Sequence, residues 1–157
     1  MTLQERTKGR ALLKFWYNES THEERESGST WYDEAKDYAN VLSLRFDVPK
    51  LICAGVISAL SPNNKWGRNK IDAHAVLDAV SKGIPPDQVK VCTYNNNKYK
   101  AFSIAQGDMR ILKQSPKTYA FARNISGEDT HQVTIDKWHL RAIQTSSKSP
   151  KDCKTSV

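Results

Sequence analysis

The stretch from Leu51 to Ser61, LICAGVISALS, constrains the fold more than any other part of the chain. Its residues are apolar or small on every side, so a helix formed here has no polar face to turn toward water. Such a helix has to be surrounded by other elements. Pro49 stands just before the stretch and suits the first turn of a helix. The sequence therefore predicts a buried helix at the centre of the fold.

Further helices are predicted on both sides of this stretch, because apolar side chains recur there every three or four residues. One series is Trp31, Ala35, Tyr38, Leu42 and Phe46, and the other is Ile71, His74, Leu77 and Val80. Shorter helices are expected over residues 4–18, 95–106, 117–125 and 137–144, with a helical turn over 110–114. The polar stretches 21–29 and 61–67 are expected to be loops.

The domain organisation follows from this count of elements. The chain has no strong β pattern, no internal repeat and no obvious linker. About seven short helices with short connections predict an all-α fold, a compact helical array. The length of 157 residues fits one domain. We expect a single helical domain over residues 1–145 and a polar tail over 146–157.

Composition and motif spacing exclude several classes of protein. No apolar run approaches the roughly 18–20 residues of a membrane span, and the N-terminal residues MTLQERTKGR lack the apolar core of a signal peptide. The three cysteines are odd in number and far apart, with no CxxC pair and no four-cysteine set, which argues against a zinc finger, an iron–sulfur cluster and a disulfide scaffold. The histidines considered as metal ligands have no convincing spacing either: His74, His131 and His139. We expect a cytoplasmic protein without a metal, a cofactor or a membrane partner.

The formal net charge of +7 is concentrated in the middle of the chain. Residues 61–125 contain eleven basic and four acidic residues, whereas the segments on either side are nearly neutral. A positive field of this kind attracts polyanions, and nucleic acid is the commonest of these. Trp66 and Tyr94 lie among these basic residues. Aromatic rings beside cations suit stacking on a base or insertion into a duplex.

Two charged residues in the C-terminal third could act together. Lys117 is predicted in the first turn of a helix, where the helix dipole disfavours added positive charge and so favours the neutral, nucleophilic amine. Asp136 follows nineteen residues later, just before another predicted helix. An amine facing a carboxylate suits attack on a sugar anomeric carbon, because the carboxylate stabilises the developing oxocarbenium-like charge. Taken alone, Lys117 also fits a solvated lysine and Asp136 an ordinary helix cap.

The surrounding segments resemble the helix-hairpin-helix DNA glycosylases of the endonuclease III superfamily. The resemblance is carried by Leu112, by Lys117-Thr118 and by the run Thr134-Ile135-Asp136-Lys137-Trp138-His139-Leu140-Arg141. These are similar to the family's hairpin, with its lysine, and to its later V-D-T-H-like element. The resemblance implies that Lys117 attacks the deoxyribose and that Asp136 assists. It implies base excision from double-stranded DNA with a flipped base, carried out by a protein that we expect to be a monomer.

The resemblance extends upstream, so that it covers roughly residues 50–144 in the family's order. VISALSPNNKWGRNK (56–70) is similar to the family's "LLSAQ…NK" helix and loop, and YNNNKYKAFSIAQ (94–106) to its "NKAENII" helix. It implies that Ser61 and Asn63 lie near the flipped base, and Trp66 is a further candidate for substrate binding. The candidate DNA-contacting residues are Lys65, Arg68, Lys98, Lys100, Lys113, Ser115 and Thr118.

The chain departs from the family pattern at the hairpin. Lys113-Gln114-Ser115-Pro116 stands where the family has two glycines, which let backbone N–H groups approach a DNA phosphate. Lys113 could supply charge in place of those amides. The four-cysteine cluster of many relatives is also missing. Two alternatives therefore stay open: a DNA-binding module without catalysis, and an enzyme that builds or removes a hypermodified base.

Overall fold

The computed structural model describes residues 3–128, 133–135 and 137–144, with the side chains of residues 137, 138 and 144 left out. Within these ranges every regular element is helical, which confirms the all-α prediction. The α-helices are α1 (Leu3–Glu19), α2 (His22–Phe46), α3 (Lys50–Leu60), α4 (Trp66–Ser81), α5 (Asn95–Ala105), α6 (Met109–Lys113), α7 (Pro116–Ser126) and α8 (Lys137–Gln144). A single 3₁₀ turn, Pro86–Gln88, is described between α4 and α5.

The chain divides into two compact units, and the division falls within α2. The first unit contains the described residues up to Trp31 and those from Ile135 onward, and the second runs from Tyr32 to Thr134. In the first unit α1 packs against α8, where the Trp16 indole N–H donates to the Ala142 carbonyl at 3.2 Å. The tail predicted over residues 146–157 lies outside the described residues.

Helix α3 is the buried centre of the second unit, as its sequence predicts. All its residues from Cys53 to Leu60 are buried, and it packs against α4, α5, α6 and α7. Gly55 allows α5 and α6 to approach α3 closely. A Cβ added there would lie 2.8 Å from Ile104 Cγ2 and 3.3 Å from Leu112 Cδ2. A larger residue at this position would therefore push α5 and α6 away from α3.

The prediction of a loop over residues 21–29 is wrong, because α2 begins at His22. Thr21 and Glu24 form a reciprocal capping box: the Thr21 N–H donates to Glu24 Oε2 at 2.8 Å, and the Glu24 N–H donates to Thr21 Oγ1 at 3.1 Å. This arrangement satisfies two N–H groups that a helix start otherwise leaves without partners. The charged stretch therefore extends a long helix with a solvated first half.

The face of α4 that enters the core also differs from the expected one. The predicted series began at Ile71, which is 58% exposed, and only Leu77 of that series is buried. The buried residues of α4 are Asn69, Asp72, Ala73, Val76, Leu77 and Ala79. The face was misjudged because it includes an asparagine and an aspartate, whose burial depends on partners far away in the sequence. Helix α4 also begins earlier than expected, at Trp66.

Candidate nucleic-acid interface

The motif segments of the second unit meet at the C-terminal end of α3. The buried Ser58 hydroxyl, in the last turn of α3, donates to the Thr118 carbonyl in the first turn of α7 at 2.7 Å. One turn further on, the Ser61 hydroxyl donates to the Ser58 carbonyl at 2.9 Å. The Lys117-Thr118 pair is thus tied to the helix that leads into residues 61–65. A serine inside an otherwise apolar run is the sequence signal for such a bond, since its buried hydroxyl needs a partner.

The turn between α6 and α7 is closed without glycine. Pro116 is the first residue of α7, a position where its missing N–H costs nothing. The Ser115 N–H donates to the Leu112 carbonyl at 3.2 Å, and the Tyr119 N–H donates to the Ser115 carbonyl at 2.8 Å. The hydroxyls of Ser115 and Thr118 lie 3.0 Å apart. Backbone bonds and a hydroxyl pair therefore shape this turn, and both hydroxyl residues are half-buried.

Lys113 and Lys117 flank this turn, and both are exposed. Neither forms an ion pair within the part of the chain that the structure describes. Lys117 stands second in α7, at the end of the helix where the dipole is positive. Asp136 lies outside the described residues. The pairing of Lys117 with Asp136 therefore stays a prediction.

The loop that follows α3 presents an exposed polar and aromatic pair. Asn63 has a left-handed backbone, with φ of 55°, and its Nδ2 donates to the Tyr94 hydroxyl at 3.0 Å. Tyr94 is 65% exposed and lies just before the first residue of α5. The Thr93 hydroxyl donates to the Pro62 carbonyl at 2.8 Å and so holds the two segments side by side. An amide and an accessible ring in one place can hydrogen-bond to a base edge and stack on its face.

Three helix N-termini thus lie around the C-terminal end of α3: those of α4, α5 and α7. Residues 61–65 lead directly into α4, the Asn63–Tyr94 bond brings in the start of α5, and the Ser58–Thr118 bond brings in α7. Helix N-termini favour anions through their unpaired N–H groups and their dipoles. Lys65 precedes α4 and is exposed, which adds a full positive charge at this end. The arrangement suits a phosphate backbone.

Two of the predicted DNA-contacting cations are engaged within the fold. Lys98 is only 7% exposed, and its Nζ donates to the Val89 carbonyl at 3.2 Å. Arg68 Nε donates to the buried carboxylate of Asp72 at 2.9 Å, while the Arg68 side chain stays 44% exposed. The exposed lysines between residues 61 and 125 that have no described ion pair are Lys65, Lys90, Lys100, Lys113 and Lys117.

Trp66 is anchored to α2 and does not extend from a loop. It lies half-buried in the first turn of α4, and its indole N–H donates to Glu34 Oε1 at 2.9 Å. Lys70 Nζ donates to the same oxygen at 2.7 Å. The hydrogen bonds from Lys70 and Trp66 lower the pKa of the Glu34 carboxyl. The Trp66 ring also packs edge-on against Tyr38, with centroids 6.3 Å apart.

No group of histidine, cysteine and acidic residues in the described ranges could hold a metal ion. His74 packs edge-on against the Phe46 ring at 5.1 Å, and His131 lies outside the described residues. Cys53 is buried, which raises the pKa of its thiol to about 11. Among these residues, no helix is both long enough and apolar enough to cross a membrane.

The protein is thus all-α, and exposed lysines and polar side chains lie at the helix ends around the C-terminal end of α3. The chain belongs to the family of unknown function DUF7178, whose model matches residues 2–155. No curated protein and no solved structure matches the chain.

Proposed function

We propose that this protein is a DNA glycosylase of the helix-hairpin-helix type, which cleaves the N-glycosidic bond of a damaged or modified base in double-stranded DNA. The observation that carries the proposal is the position of Lys117. It is an exposed lysine in the first turn of a helix, and the Ser58–Thr118 bond ties that turn to the loop that presents Asn63 and Tyr94. The candidate nucleophile and the candidate base-contacting residues therefore belong to one connected set of segments.

In the proposed reaction the neutral amine of Lys117 attacks C1′ of the deoxyribose. The C1′–N bond breaks, its electron pair leaves with the base, and the base takes up a proton. The nitrogen then gives up its two protons, one of them to O4′, as the C1′–O4′ bond breaks, which leaves an imine between Lys117 and C1′. Asp136 stabilises the positive charge that develops on the sugar as the C1′–N bond to the base breaks. Water hydrolyses the imine, or removal of a proton from C2′ expels the 3′ phosphate and cleaves the strand.

The rest of the interface serves to bind the flipped nucleotide. Asn63 offers its amide and Tyr94 its ring to the base, and a base taken out of the stack needs both kinds of contact. Lys65 and Lys113 contact phosphates on either side. In the helix-hairpin-helix glycosylases that this segment resembles, backbone amides of the hairpin bind the DNA phosphate. Here the hairpin offers the charge of Lys113 instead, so phosphate binding depends more on lysine.

Borohydride trapping tests this proposal, because reduction turns the imine into a stable protein–DNA adduct. Wild-type protein is incubated with duplexes that carry different damaged or modified bases, and adducts are detected by gel shift and mass. We expect an adduct at Lys117 with at least one duplex and none with Lys117→Gln. Lys90→Gln, which removes an exposed lysine outside the interface, should trap as the wild type does. An undiminished adduct in Lys117→Gln would show that another amine is the nucleophile.

One observation favours a second function, that of a DNA-binding module without catalysis. The turn before Lys117 is built from Ser115 and Pro116, without the glycines of the helix-hairpin-helix glycosylases that this segment resembles. A binding module predicts salt-dependent affinity for duplex DNA but no adduct and no released base with any duplex. The same trapping series therefore separates the two functions.

A further inference from the structure

Asp72 is a buried carboxylate that the proposed chemistry does not use. It lies in α4 with its side chain 1% exposed. Three donors reach its two oxygens: Arg68 Nε bonds Oδ1 at 2.9 Å, while Asn64 Nδ2 and the Cys92 N–H bond Oδ2 at 2.9 Å and 2.8 Å. A buried charge is tolerated only when its hydrogen-bonding capacity is met in this way.

The donors come from three different segments of the second unit. Arg68 is in α4 itself, Asn64 is in the loop between α3 and α4, and Cys92 is in the segment before α5. Asn64 directly follows Asn63, and Cys92 stands two residues before Tyr94. The carboxylate is therefore a second point, besides the Thr93–Pro62 bond, at which the two segments that carry the exposed Asn63–Tyr94 pair are joined.

We propose that Asp72 is a positioning residue, which holds Asn63 and Tyr94 in the geometry that recognises an extrahelical nucleotide. It acts through Asn64 and Cys92 and does not itself touch DNA. This inference rests on the proposed function, since it assigns a role to Asp72 in the same interface.

The exposed pair needs such support. Asn63 adopts a left-handed backbone conformation, which asparagine tolerates better than most residues but which is still less favourable for it than for glycine. Its bond to the Tyr94 hydroxyl is exposed, so water competes for both partners. Both features gain from a fixed loop. The bonds to the buried Asp72 carboxylate are shielded from that competition and keep the loop in place.

Asp72→Asn tests the inference, with Asp78→Asn as its matched control. The new amide keeps the shape of the side chain but turns one acceptor into a donor, which faces either Arg68 or the two donors on Oδ2. Asp78 is in the same helix, and its side chain pairs with Lys82 at the surface, at 2.7 Å. Both changes remove one negative charge, so any general gain in attraction for phosphate is common to the two variants.

The measurement is the ratio of two affinities: that for a short duplex with a single bulged nucleotide, whose base can leave the stack, and that for the same duplex fully paired. We expect Asp72→Asn to lower this ratio about tenfold, as the loss of a buried hydrogen-bond partner does. Asp78→Asn should keep the wild-type ratio. Loss of folded protein would weaken binding to both duplexes equally and leave the ratio unchanged, so the ratio reports positioning and not mere stability.

Two comparisons would overturn the inference. If wild-type protein prefers the bulged duplex and Asp72→Asn prefers it equally, the proposed function survives and the role of Asp72 fails. If wild-type protein binds the two duplexes equally well, the proposed function fails, and the positioning role of Asp72 fails as well. In the double variant Asn63→Ala/Asp72→Asn the loss should be smaller than the sum of the two single losses, because Asp72 acts partly through Asn63; fully additive losses would contradict that path.

A second variant covers the case in which Asp72→Asn does not fold. Asn64→Ala removes the amide that donates both to Asp72 and to the Leu60 carbonyl, at 3.3 Å, and leaves Arg68 and Cys92 on the carboxylate. The inference predicts that it also lowers the affinity ratio, while the thermal unfolding temperature stays near that of the wild type. An unchanged ratio in Asn64→Ala would overturn the inference.

Discussion

At the scale of single residues, Gly55 shows how closely the second unit is packed. Alanine is favoured over glycine within a helix by about 1 kcal/mol. At Gly55, however, the added methyl would stand 2.8 Å from Ile104 Cγ2, and Ile104 is itself buried. A β-branched side chain has little rotamer freedom with which to move away. Overpacking therefore outweighs helix propensity at this position.

We predict that Gly55→Ala lowers the free energy of unfolding by about 1–3 kcal/mol, the usual cost of forcing a group into a filled core. Urea unfolding followed by far-UV circular dichroism measures the change. Gly28→Ala is the control, because a Cβ at Gly28 meets nothing within 4 Å in the middle of α2. That change should be neutral or stabilising. A Gly55→Ala protein as stable as the wild type would show that α5 and α6 can yield at little cost.

Single residues also mark the limit of what the sequence can predict at the candidate site. Lys117 was placed in the first turn of a helix from Ser115 and Pro116 alone, since these are local signals for a helix start. The burial of Lys98 and Asp72 could not be anticipated in the same way. Their partners, Val89 and Cys92, differ from them in sequence position by nine and twenty residues and act through backbone groups. Almost every residue has the same backbone donor and acceptor, so the sequence does not indicate which of them will bind a buried side chain.

At the scale of elements, α2 depends on its first turn. The capping box of Thr21 and Glu24 starts a helix whose first ten residues contribute nothing to the buried core. We predict that Thr21→Ala destabilises this end of α2 by about 1 kcal/mol, the usual cost of losing such a cap. Hydrogen exchange followed by mass spectrometry should show faster exchange over residues 22–27 and no change in α3.

Ser29→Ala provides the comparison for this experiment. Ser29 is exposed in the same half of α2, and its hydroxyl bonds only the Glu26 carbonyl within the helix, at 2.8 Å. Alanine there raises helix propensity. Exchange over residues 22–27 should therefore stay the same or slow down. Equal exchange in Thr21→Ala and in the wild type would mean that packing, and not the cap, holds this end of the helix.

The elements differ in how well the sequence predicts them. Helix α3 was predicted in place and in burial because a run without a polar face has only one environment available to it. The start of α2 was missed because a charged stretch lacks the apolar spacing by which helices are recognised, although Thr21 and Glu24 have the spacing of a capping box. The core face of α4 was misjudged because Asn69 and Asp72 are buried with partners from other segments, such as Ile57 and Cys92.

At the scale of the whole molecule, the distribution of charge predicts how DNA binding responds to salt. Several basic residues are neutralised within the fold by acidic partners, such as Lys82 by Asp78. The cationic character of the interface is left to the exposed lysines at its helix ends. Each phosphate contact releases counterions and contributes about 0.9 to the slope of log affinity against log salt concentration.

We predict that Lys65→Glu and Lys113→Glu each weaken binding to all duplex sequences alike and reduce the salt slope by about one. Lys82→Glu reverses the same charge where the lysine is already paired, at the opposite end of α4. Its effect on the slope should be much smaller. Fluorescence anisotropy at several salt concentrations gives the slopes. Binding that does not depend on salt, or equal slopes in all three variants, would contradict the proposed interface.

The position of α3 has a consequence for how this protein can be dissected. Because α4, α5, α6 and α7 all pack against the same apolar helix, each of them loses its central contact once that helix is removed. A peptide limited to α6 and α7 would leave Leu112, Phe121 and Ile125 facing water, and two helices this short are marginal on their own. The lysine-bearing turn is therefore not a transplantable motif. Its geometry exists only while the whole second unit is folded. DNA recognition should therefore be lost at the same denaturant concentration at which the second unit unfolds.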